Sequence, residues 1–216
     1  TDNVVEQVMP HNHSHVIARV HMAGENEVKD AIKAALDAHD AWSSMEWEAR
    51  AAIFLKASEL LSGEYRSKIN ASTMINQSKT CHQAEIDSAC ELIDFWRFNA
   101  DYARQIYEDL QPPVSPSSMW NSSEVRPLEG FIFSVTPFNF SSIAANLPSS
   151  AAIMGNTGVW KPSRNSYLSN YYLMRLMMDA GLPDGVINFI PGKASMVGDI
   201  CLSHPMLAGI HFTGST

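Results

Sequence analysis

Four short apolar runs in the second half of the chain are each followed directly by small or polar residues. The pairs are GFIFSV before TPFNF with Asn139, GVW before KPSR with Lys161 and Ser163, VINFI before PGKAS with Gly192, and GIHF before TGST with Gly214 and Ser215. If the runs are neighbouring parallel strands, all four clusters lie at the carboxyl edge of one sheet, where such sheets bind their ligands. The shared position is stronger evidence for a binding site than any single cluster.

The residue types in these clusters suit a dinucleotide. Lys161, at a strand end, can reach an anion or hydroxyl groups. Gly192 allows close approach of an adenine ring or of backbone, and Gly214 with Ser215 would open a helix whose N-terminal amides face a phosphate. The GxGxxG fingerprint does not occur, so a standard Rossmann enzyme is not indicated. On periodicity alone, an α/β domain with ordinary loops is the alternative.

Apolar periodicity predicts helices in the first half of the chain and alternating strands and helices in the second. Helices are expected to begin near Glu25, Trp47, Glu64 and Gln83, with later helices at about 140–154, 166–180 and 195–201. Gly63 and Gly181 stand where two of these helices would end. The buried stripe of the fourth helix is expected to contain Ile86, Cys90, Ile93 and Phe98. Short strands alternating with helices predict an α/β fold with a parallel, Rossmann-like sheet covered on both faces.

The same pattern divides the chain into three parts. Residues 1–110 are expected to form the helical N-terminal part of a nucleotide-binding domain, and residues 131–216 its β/α part. Between them, residues 111–130 begin with QPPVSPSSMWNSS, whose prolines and serines predict an irregular or edge-strand connector. Trp120 in this connector is interpreted either as an anchor at a subunit interface or as a loop residue shielded from solvent.

The overall composition excludes several classes of protein. With 216 residues, 45% of them hydrophobic and 18% charged, the chain can bury a core and is not disordered. A formal net charge of −8 without a lysine–arginine stripe argues against a nucleic-acid partner, and the apolar runs are too short to span a membrane. Three widely spaced cysteines without a CxxC pair favour a reducing compartment. The start without methionine and the end at FTGST lead us to expect a piece of a larger protein.

Several strings carry a resemblance to a known family. In order and spacing, TPFNF, WKPS, AGLPDGVINFIPG and FTGST resemble the aldehyde dehydrogenase superfamily. PHNHSHVI, FLKASELLSG, KTCHQAEID, ELIDFWRFNA and LEGF are similar to its delta-1-pyrroline-5-carboxylate dehydrogenase branch, whose members oxidise glutamate semialdehyde to glutamate with NAD. The resemblance covers nearly the whole chain. FTGS alone marks only the superfamily, whereas QAEID with ELIDFWRFNA is more specific to the branch.

The resemblance implies roles for seven residues at an NAD cleft. Lys161 and Ser163 would contact the adenosine ribose, and Gly192 would lie where the adenine packs. The others would line the path of the nicotinamide half and the pyrophosphate: Thr136, Phe138, Gly214 and Ser215. Arg164 stands where many relatives carry an acidic residue for a ribose hydroxyl, which weakens the case for a strict preference for NAD over NADP.

Three further residues are implied in binding and activating the aldehyde. Asn139 would help to hold the aldehyde oxygen as an oxyanion-hole donor, while Glu91 and Phe140 would lie beside the aldehyde tunnel. Glu91 could meet the ammonium group of the substrate, or could be a solvated charge. Asn139 also has an alternative role as the cap of the following helix, a position that asparagine favours.

The mechanism implied by the resemblance is covalent. A cysteine thiolate attacks the aldehyde, hydride leaves for NAD, and a glutamate-activated water releases the acid. In the superfamily both of these residues lie beyond FTGST, so this chain alone is expected to be inactive. Cys81, Cys90 and Cys201 lie in helical stretches, not in the loop expected for the nucleophile, and are interpreted as structural thiols. The resemblance also implies a homo-oligomer, located in the mitochondrial matrix of a eukaryote or the cytoplasm of a bacterium.

Two alternative functions and one further motif stay open. The whole protein could be an aldehyde dehydrogenase of another substrate class, or the chain could be a non-catalytic nucleotide-binding module. His11, His13 and His15 alternate, so an extended chain would place them on one face, where they could bind a metal. Since PHNHSH matches a string of the branch that has no associated metal role, no metal site is expected.

Overall fold

The computed structural model of the protein describes residues 1–112 and 114–215. In chain order, its strands and helices are β1 Val4–Met9, β2 Asn12–His21, α1 Glu25–Ser43, α2 Trp47–Ser62, α3 Arg66–Gln77, α4 Cys81–Ala84, α5 Glu91–Arg104, β3 Phe131–Val135, α6 Ser141–Ile153, β4 Thr157–Lys161, α7 Tyr167–Ala180, β5 Ile187–Phe189, α8 Ala194–Leu202 and β6 Leu207–Phe212. Two π-helical segments, Glu85–Cys90 and Gln105–Asp109, follow α4 and α5, and a 3-10 turn, Arg164–Ser166, precedes α7. None of the described helices is both long and apolar enough to cross a membrane.

The antiparallel hairpin of β1 and β2 corrects the prediction that the first part of the chain is only helical. Most of its side chains are exposed, so its sequence lacks the alternation of buried and exposed positions that marks a half-buried strand. Gln7 anchors the hairpin to the rest of the chain. Its side-chain amide donates to the carbonyl of Arg164 at 2.9 Å and accepts from the backbone N–H of Leu168 at 2.9 Å.

Strands β3 to β6 form a parallel sheet in the order β5-β4-β3-β6, which confirms the predicted α/β fold. From β3 the chain moves outward through β4 to β5, and then returns to the other side of β3 as β6. Gly130, just before β3, has a φ of +105°, and a Cβ there would lie 2.1 Å from the carbonyl oxygen of Met206. Glycine is therefore needed where β3 and β6 begin side by side.

Helices cover both faces of this sheet, as predicted. On one face, α1 and α8 pack against β3 and β4 through apolar side chains that include Ile32 and Val159. On the opposite face, α6 and α7 join α2 and α5 in a larger core that contains the buried Trp42, Trp96 and Trp160. Burying a large apolar side chain contributes about 1.5–3 kcal/mol relative to leaving it exposed. The N-terminal helices and the β/α part of the chain are therefore held together by a shared apolar core.

The predicted fourth helix is a long helical run with two π-helical segments. The buried residues of α5 are Leu92, Ile93, Trp96, Ala100 and Ala103. Of the predicted stripe, Ile93 is buried, but Ile86 and Phe98 are 49% and 56% exposed, so that part of the prediction was wrong. The π segment Glu85–Cys90 adds a residue to one turn and changes which side chains face the core, and alanines rather than large apolar residues fill much of the buried face.

The connector after the long helix has neither helix nor strand among its described residues, as the prolines and serines predict. Trp120, within it, is 89% exposed. This exposure argues against the interpretation of Trp120 as a shielded loop residue in this chain, and leaves the interface interpretation as a proposal.

Candidate functional site

An open cleft of about 520 Å³ lies at the carboxyl edge of the sheet, where β3, β4 and β6 end. It gathers seven of the ten predicted site residues: Thr136, Phe138, Asn139, Lys161, Ser163, Gly214 and Ser215. Gly192, Glu91 and Phe140 do not line it. The parallel topology thus brings together the loops after three strands, but not the loop after β5.

Three hydrogen bonds tie the loops of the cleft together just beyond the strand ends. The backbone N–H of Thr136 donates to the carbonyl of Lys161 at 3.3 Å, and that of Thr213 donates to the carbonyl of Val135 at 3.2 Å. The indole N–H of Trp160 donates to the hydroxyl oxygen of Thr136 at 2.9 Å. Trp160 was not a predicted site residue. Its only signal in the sequence is an indole N–H in a buried strand, which needs a partner.

Lys161 places a positive charge in this cleft. The residue is only 8% exposed, and burial lowers the pKa of its ammonium group. Within the described part of the chain, the ammonium has neither a hydrogen-bond acceptor nor an ionic partner, and it lines the cleft. A cation that is desolvated in this way favours a ligand with oxygen acceptors, because the ligand replaces the lost hydration. Lys161 is therefore suited to hold hydroxyl or phosphate oxygens.

Asn139 lies in the loop between β3 and α6 and is exposed at the cleft. Helix α6 has Phe140 at its N-cap position and no side-chain cap hydrogen bond, which does not support the alternative role of Asn139 as a helix cap. The backbone carbonyl of Asn139 accepts a hydrogen bond from Lys79. Its carboxamide has no partner among the described residues, so its two N–H donors remain for a ligand.

Gly192 lies outside the cleft, and local packing explains why a glycine occupies this position. The residue forms a parallel bridge with Ala23, and its carbonyl accepts a hydrogen bond of 3.4 Å from the hydroxyl of Tyr167. A Cβ at this position would lie 2.6 Å from Cγ2 of Val197 in α8. Close packing of the loop on α8 therefore accounts for the glycine, and the expected contact with an adenine stays a prediction.

Glu91 and Phe140 lie beside the Asn139 loop. The ring of Phe140 is half-buried, with the ammonium of Lys79 at 4.4 Å from its centre. The carboxylate of Glu91 accepts a hydrogen bond from the hydroxyl of Ser142 in the first turn of α6, so Glu91 is not simply a solvated charge. The expected contact of these two residues with an aldehyde stays a prediction.

The other candidate reactive groups lie away from the cleft. All three cysteines are in helical segments: Cys81 is exposed, Cys90 is partly buried and Cys201 is buried. Burial raises the pKa of the Cys201 thiol to about 12, which makes it a poor nucleophile. His11 shares a hydrogen bond of 2.7 Å with Ser78. Among the described residues, no three His, Cys, Asp or Glu side chains are grouped so that they could hold a metal ion.

Known proteins match this chain along its whole length. The family model described as "Aldehyde dehydrogenase family" matches residues 1–216. The chain belongs to the aldehyde dehydrogenase family. The chain is 49% identical over 216 residues to the probable delta-1-pyrroline-5-carboxylate dehydrogenase of Schizosaccharomyces pombe. It is 45% identical over 215 residues to a human relative named "Delta-1-pyrroline-5-carboxylate dehydrogenase, mitochondrial".

A solved structure shares the fold of this chain closely. It is the Delta-pyrroline-5-carboxylate dehydrogenase from Mycobacterium tuberculosis bound with NAD, which is 49% identical, with a TM-score of 0.96 over 99% of this chain and 40% of that one. The yeast and human relatives are matched over 100% of this chain, which spans 39% and 38% of their respective lengths. The comparisons therefore establish the family and the fold of this segment.

Proposed function

We propose that the whole protein containing this chain is an NAD-dependent delta-1-pyrroline-5-carboxylate dehydrogenase, which oxidises L-glutamate γ-semialdehyde to glutamate in proline catabolism. The observation that carries this proposal is the 49% and 45% identity, along the entire chain, to relatives that bear this name. The cleft at the carboxyl edge of the sheet adds support, because its position and its residue types suit a dinucleotide beside a small aldehyde.

The residues of the cleft fit NAD. Lys161 offers a buried ammonium, and Ser163 offers a hydroxyl in the same cleft, so we assign both to the adenosine ribose. At Gly214 a Cβ would lie 2.8 Å from the exposed ring of Phe212, which would have to move, whereas glycine leaves the backbone open to a ligand. We assign Gly214 and Ser215 to the pyrophosphate; the helix expected after them lies outside the described residues. When bound, NAD supplies the hydride acceptor.

Three further cofactor assignments rest on the family resemblance. Phe138 lines the cleft and is assigned to the path of the nicotinamide half. Thr136 lies in the same loop. Its hydroxyl oxygen accepts a hydrogen bond from the indole of Trp160, so its proposed contribution to the cofactor site is to hold the loop in place. Gly192 is assigned to the adenine, beyond the outer side of the cleft.

Asn139 is the residue of this chain that we assign to catalysis. Negative charge develops on the aldehyde oxygen when a nucleophile adds to the carbonyl carbon, so a fixed donor stabilises the transition state more than the substrate. A carboxamide donates N–H bonds and stays neutral throughout. We propose that the nucleophilic cysteine and the general-base glutamate belong to the part of the whole protein that this chain does not cover.

Glu91 and Phe140 are assigned to the aldehyde. Glutamate semialdehyde carries an ammonium group, for which the carboxylate of Glu91 is a suitable partner. The hydroxyl of Ser142 donates to that carboxylate and holds it against the first turn of α6, close in sequence to Asn139. Phe140 would supply an apolar wall for the methylene groups of the substrate.

Further proposals concern the organisation of the whole protein. We divide the segment into a helical part at 1–110, a connector arm at 111–130 and a β/α part at 131–216 of one nucleotide-binding domain. We propose a homo-oligomer in which the exposed Trp120 anchors this arm on a partner subunit. The names of the human and Dictyostelium discoideum relatives include the word mitochondrial, which favours the mitochondrial matrix if the source is a eukaryote, with the cytoplasm proposed for a bacterium.

The proposed function is tested with the purified whole protein, glutamate semialdehyde and NAD, by following NADH. We expect turnover that is faster than with acetaldehyde, benzaldehyde or betaine aldehyde, and no turnover by the isolated 216-residue chain. Asn139→Ala should lower kcat by about 10²–10³-fold, the usual effect of removing one oxyanion donor. Because Asn139 does not cap α6, the melting temperature should be unchanged.

Asn26→Ala, which changes an exposed asparagine on α1, is the matched control and should retain full activity. A whole protein that prefers another aldehyde would replace the proposed substrate, and one without aldehyde oxidation would support a non-catalytic module. Near-normal kcat in a folded Asn139→Ala variant would remove Asn139 from catalysis while leaving the proposed substrate in place.

A further inference from the structure

Lys79 contacts the Asn139 loop from a distant part of the chain. The residue lies between α3 and α4, and its side chain is only 13% exposed. Its ammonium donates to Oδ2 of Asp87 at 2.7 Å and to the backbone carbonyl oxygen of Asn139. The same ammonium lies 4.4 Å from the centre of the Phe140 ring. One partly buried cation therefore engages two consecutive residues of the loop and is itself held by a carboxylate.

We propose that Lys79 and Asp87 form a clamp that positions the carboxamide of Asn139 for the aldehyde oxygen. This inference rests on the proposed function, since it concerns the same catalytic step. Lys79 is a positioning residue in this scheme, because it touches the backbone of Asn139 rather than the reacting atoms. The clamp acts by fixing the peptide group between Asn139 and Phe140, whose orientation sets the direction of the Asn139 side chain.

The loop between β3 and α6 is fixed at its β3 end but has no side-chain cap at its α6 end, which is where the clamp acts. At the end of β3, Thr136 is fixed by its N–H bond to the carbonyl of Lys161 and by the indole of Trp160. At the beginning of α6, no side-chain cap holds the junction, since Phe140 occupies the N-cap position. The usual device for fixing a loop-to-helix junction is therefore missing, and the bond from Lys79 takes its place.

Asp87 is placed for this role by a departure from regular helix geometry. It lies in the π-helical segment Glu85–Cys90, which adds one residue to a turn and so rotates the following side chains by about 100° relative to an uninterrupted α-helix. Four residues further along, Glu91 accepts a hydrogen bond from Ser142 in the first turn of α6. The helical run thus holds both sides of the junction, through Lys79 on the loop side and through Glu91 on the helix side.

The ion pair of the clamp is partly shielded from solvent, whereas its bond to the carbonyl of Asn139 lies at the exposed loop. The side chain of Asp87 is 19% exposed and that of Lys79 is 13% exposed, so the ion pair is screened less than a surface pair. Removing the ammonium leaves a carboxylate and a peptide carbonyl without their shared donor, and the loop is then free to turn. A misplacement of about 1 Å in a catalytic group can cost on the order of 10²-fold in rate.

The test uses Lys79→Met and Asp87→Asn in the whole protein. We expect Lys79→Met to lower kcat by about 10–100-fold, with a smaller loss in Asp87→Asn, and with KM for NAD unchanged in both. Combining Lys79→Met with Asn139→Ala should cause no further loss beyond Asn139→Ala alone, because the clamp acts only through that carboxamide. Lys68→Met is the matched control: its ammonium also lies over aromatic rings, those of Tyr65 and Tyr172, at 4.8 and 5.8 Å from their centres, and kcat should be retained.

Two results would overturn the clamp: retained kcat in a folded Lys79→Met protein, or a full multiplicative loss when it is combined with Asn139→Ala. If Lys79→Met does not fold, the same comparison is made with Asp87→Asn. If the wild-type protein has no aldehyde oxidation, the proposed function fails instead, and crystal structures of the wild type and the variant decide about the clamp. The carbonyl of Asn139 should then move by about 1 Å or more in the variant, and an unmoved loop would refute the inference.

Discussion

Replacing Lys161 with Met should weaken NAD binding and, at the same time, stabilise the cofactor-free protein. The reason is that Lys161 is largely buried at the cleft, where partial desolvation of its ammonium lowers its pKa and disfavours the charged form. Methionine has a similar length and fills the same space without a charge. The substitution should therefore remove a contact with NAD and also remove the desolvation cost of the ammonium in the cofactor-free protein.

The size of the binding effect follows from the hydrogen bonds that a charged donor makes. Losing such bonds costs roughly 1.5–3 kcal/mol, or about ten- to a hundredfold in Kd. At an NAD concentration of about 100 times the wild-type Kd, binding stabilises the wild type by about 2.7 kcal/mol. At the same concentration, the variant would gain only about 0.4–1.4 kcal/mol.

The assay is thermal unfolding of the whole protein with and without NAD, together with titration calorimetry. We expect Lys161→Met to melt above the wild type without NAD, and its melting temperature to rise less than that of the wild type when NAD is added. Lys56→Met, which changes an exposed lysine on α2, should shift neither temperature. An unchanged Kd for NAD would remove Lys161 from the cofactor site, and a lower melting temperature without NAD would show that the ammonium is structurally satisfied.

The difference in stability between the wild type and Lys161→Met should depend on pH in a definite direction. Since burial lowers the pKa of Lys161 in the folded protein, the unfolded chain binds more protons between that lowered value and the ordinary lysine pKa of about 10.4. The stability of the wild type therefore rises relative to the variant as the pH increases through this range. The advantage of Lys161→Met should be full below the folded pKa of Lys161 and should disappear as the pH approaches about 10.4.

Two further predictions concern stability. Gly130→Ala, at a φ of +105° and with a Cβ 2.1 Å from the carbonyl oxygen of Met206, should destabilise the protein by at least about 1–3 kcal/mol. Gly198→Ala in α8 is the control, because its new Cβ meets nothing within 4 Å, and it should be more stable than the wild type by about 0.5–1 kcal/mol. Urea unfolding measures both variants, and midpoints that shift in the same direction would contradict the reasoning. Burial and a hydrogen bond to Asp179 raise the pKa of Tyr65 to about 12, so wild-type stability should fall as the pH rises from the ordinary tyrosine pKa of about 10 towards that value. Tyr65→Phe should lose less stability over the same range, and an equal loss would exclude Tyr65 as the cause.

Much of the fold was predictable because it depends on local patterns. Gly63 and Gly181 end α2 and α7 as predicted, the latter with a φ of +108°. The helices from α1 onwards and the strands β3 to β6 follow from the apolar periods and from glycines and prolines at their ends. The N-terminal hairpin was missed because its exposed strands bury little apolar surface. The buried stripe of the long helix was wrong at Ile86 and Phe98 because a π-helical segment changes the period within the pattern.

Site residues were predictable from the sequence only where they directly follow a strand, because that position in the chain fixes their place at the edge of the sheet. A polar residue directly after a strand lies at the carboxyl edge whatever the rest of the molecule does, as Lys161 and Asn139 show. Lys79 follows no such rule, since it is 60 residues from Asn139 in the sequence and meets its carbonyl only through tertiary packing. No periodicity or spacing encodes that contact, and the KT string containing Lys79 indicates only the family.

The absence of Gly192 from the cleft follows from the order of the strands. The sheet order β5-β4-β3-β6 places the reversal of chain direction between β3 and β6, because the chain leaves β3 toward β4 and returns to β6 on the other side. The connections also change faces there: α6 packs with the core on one face of the sheet, and α8 packs on the other. Doubly wound sheets bind their ligands at such a reversal, in the crevice outside the carboxyl ends of the strands. The loop after β5 lies two strands away from that reversal, so it borders the crevice only at a distance, although it shares the carboxyl edge. The first four strands of a dinucleotide-binding sheet have this same order, which explains why a cleft opens at the reversal without a GxGxxG turn.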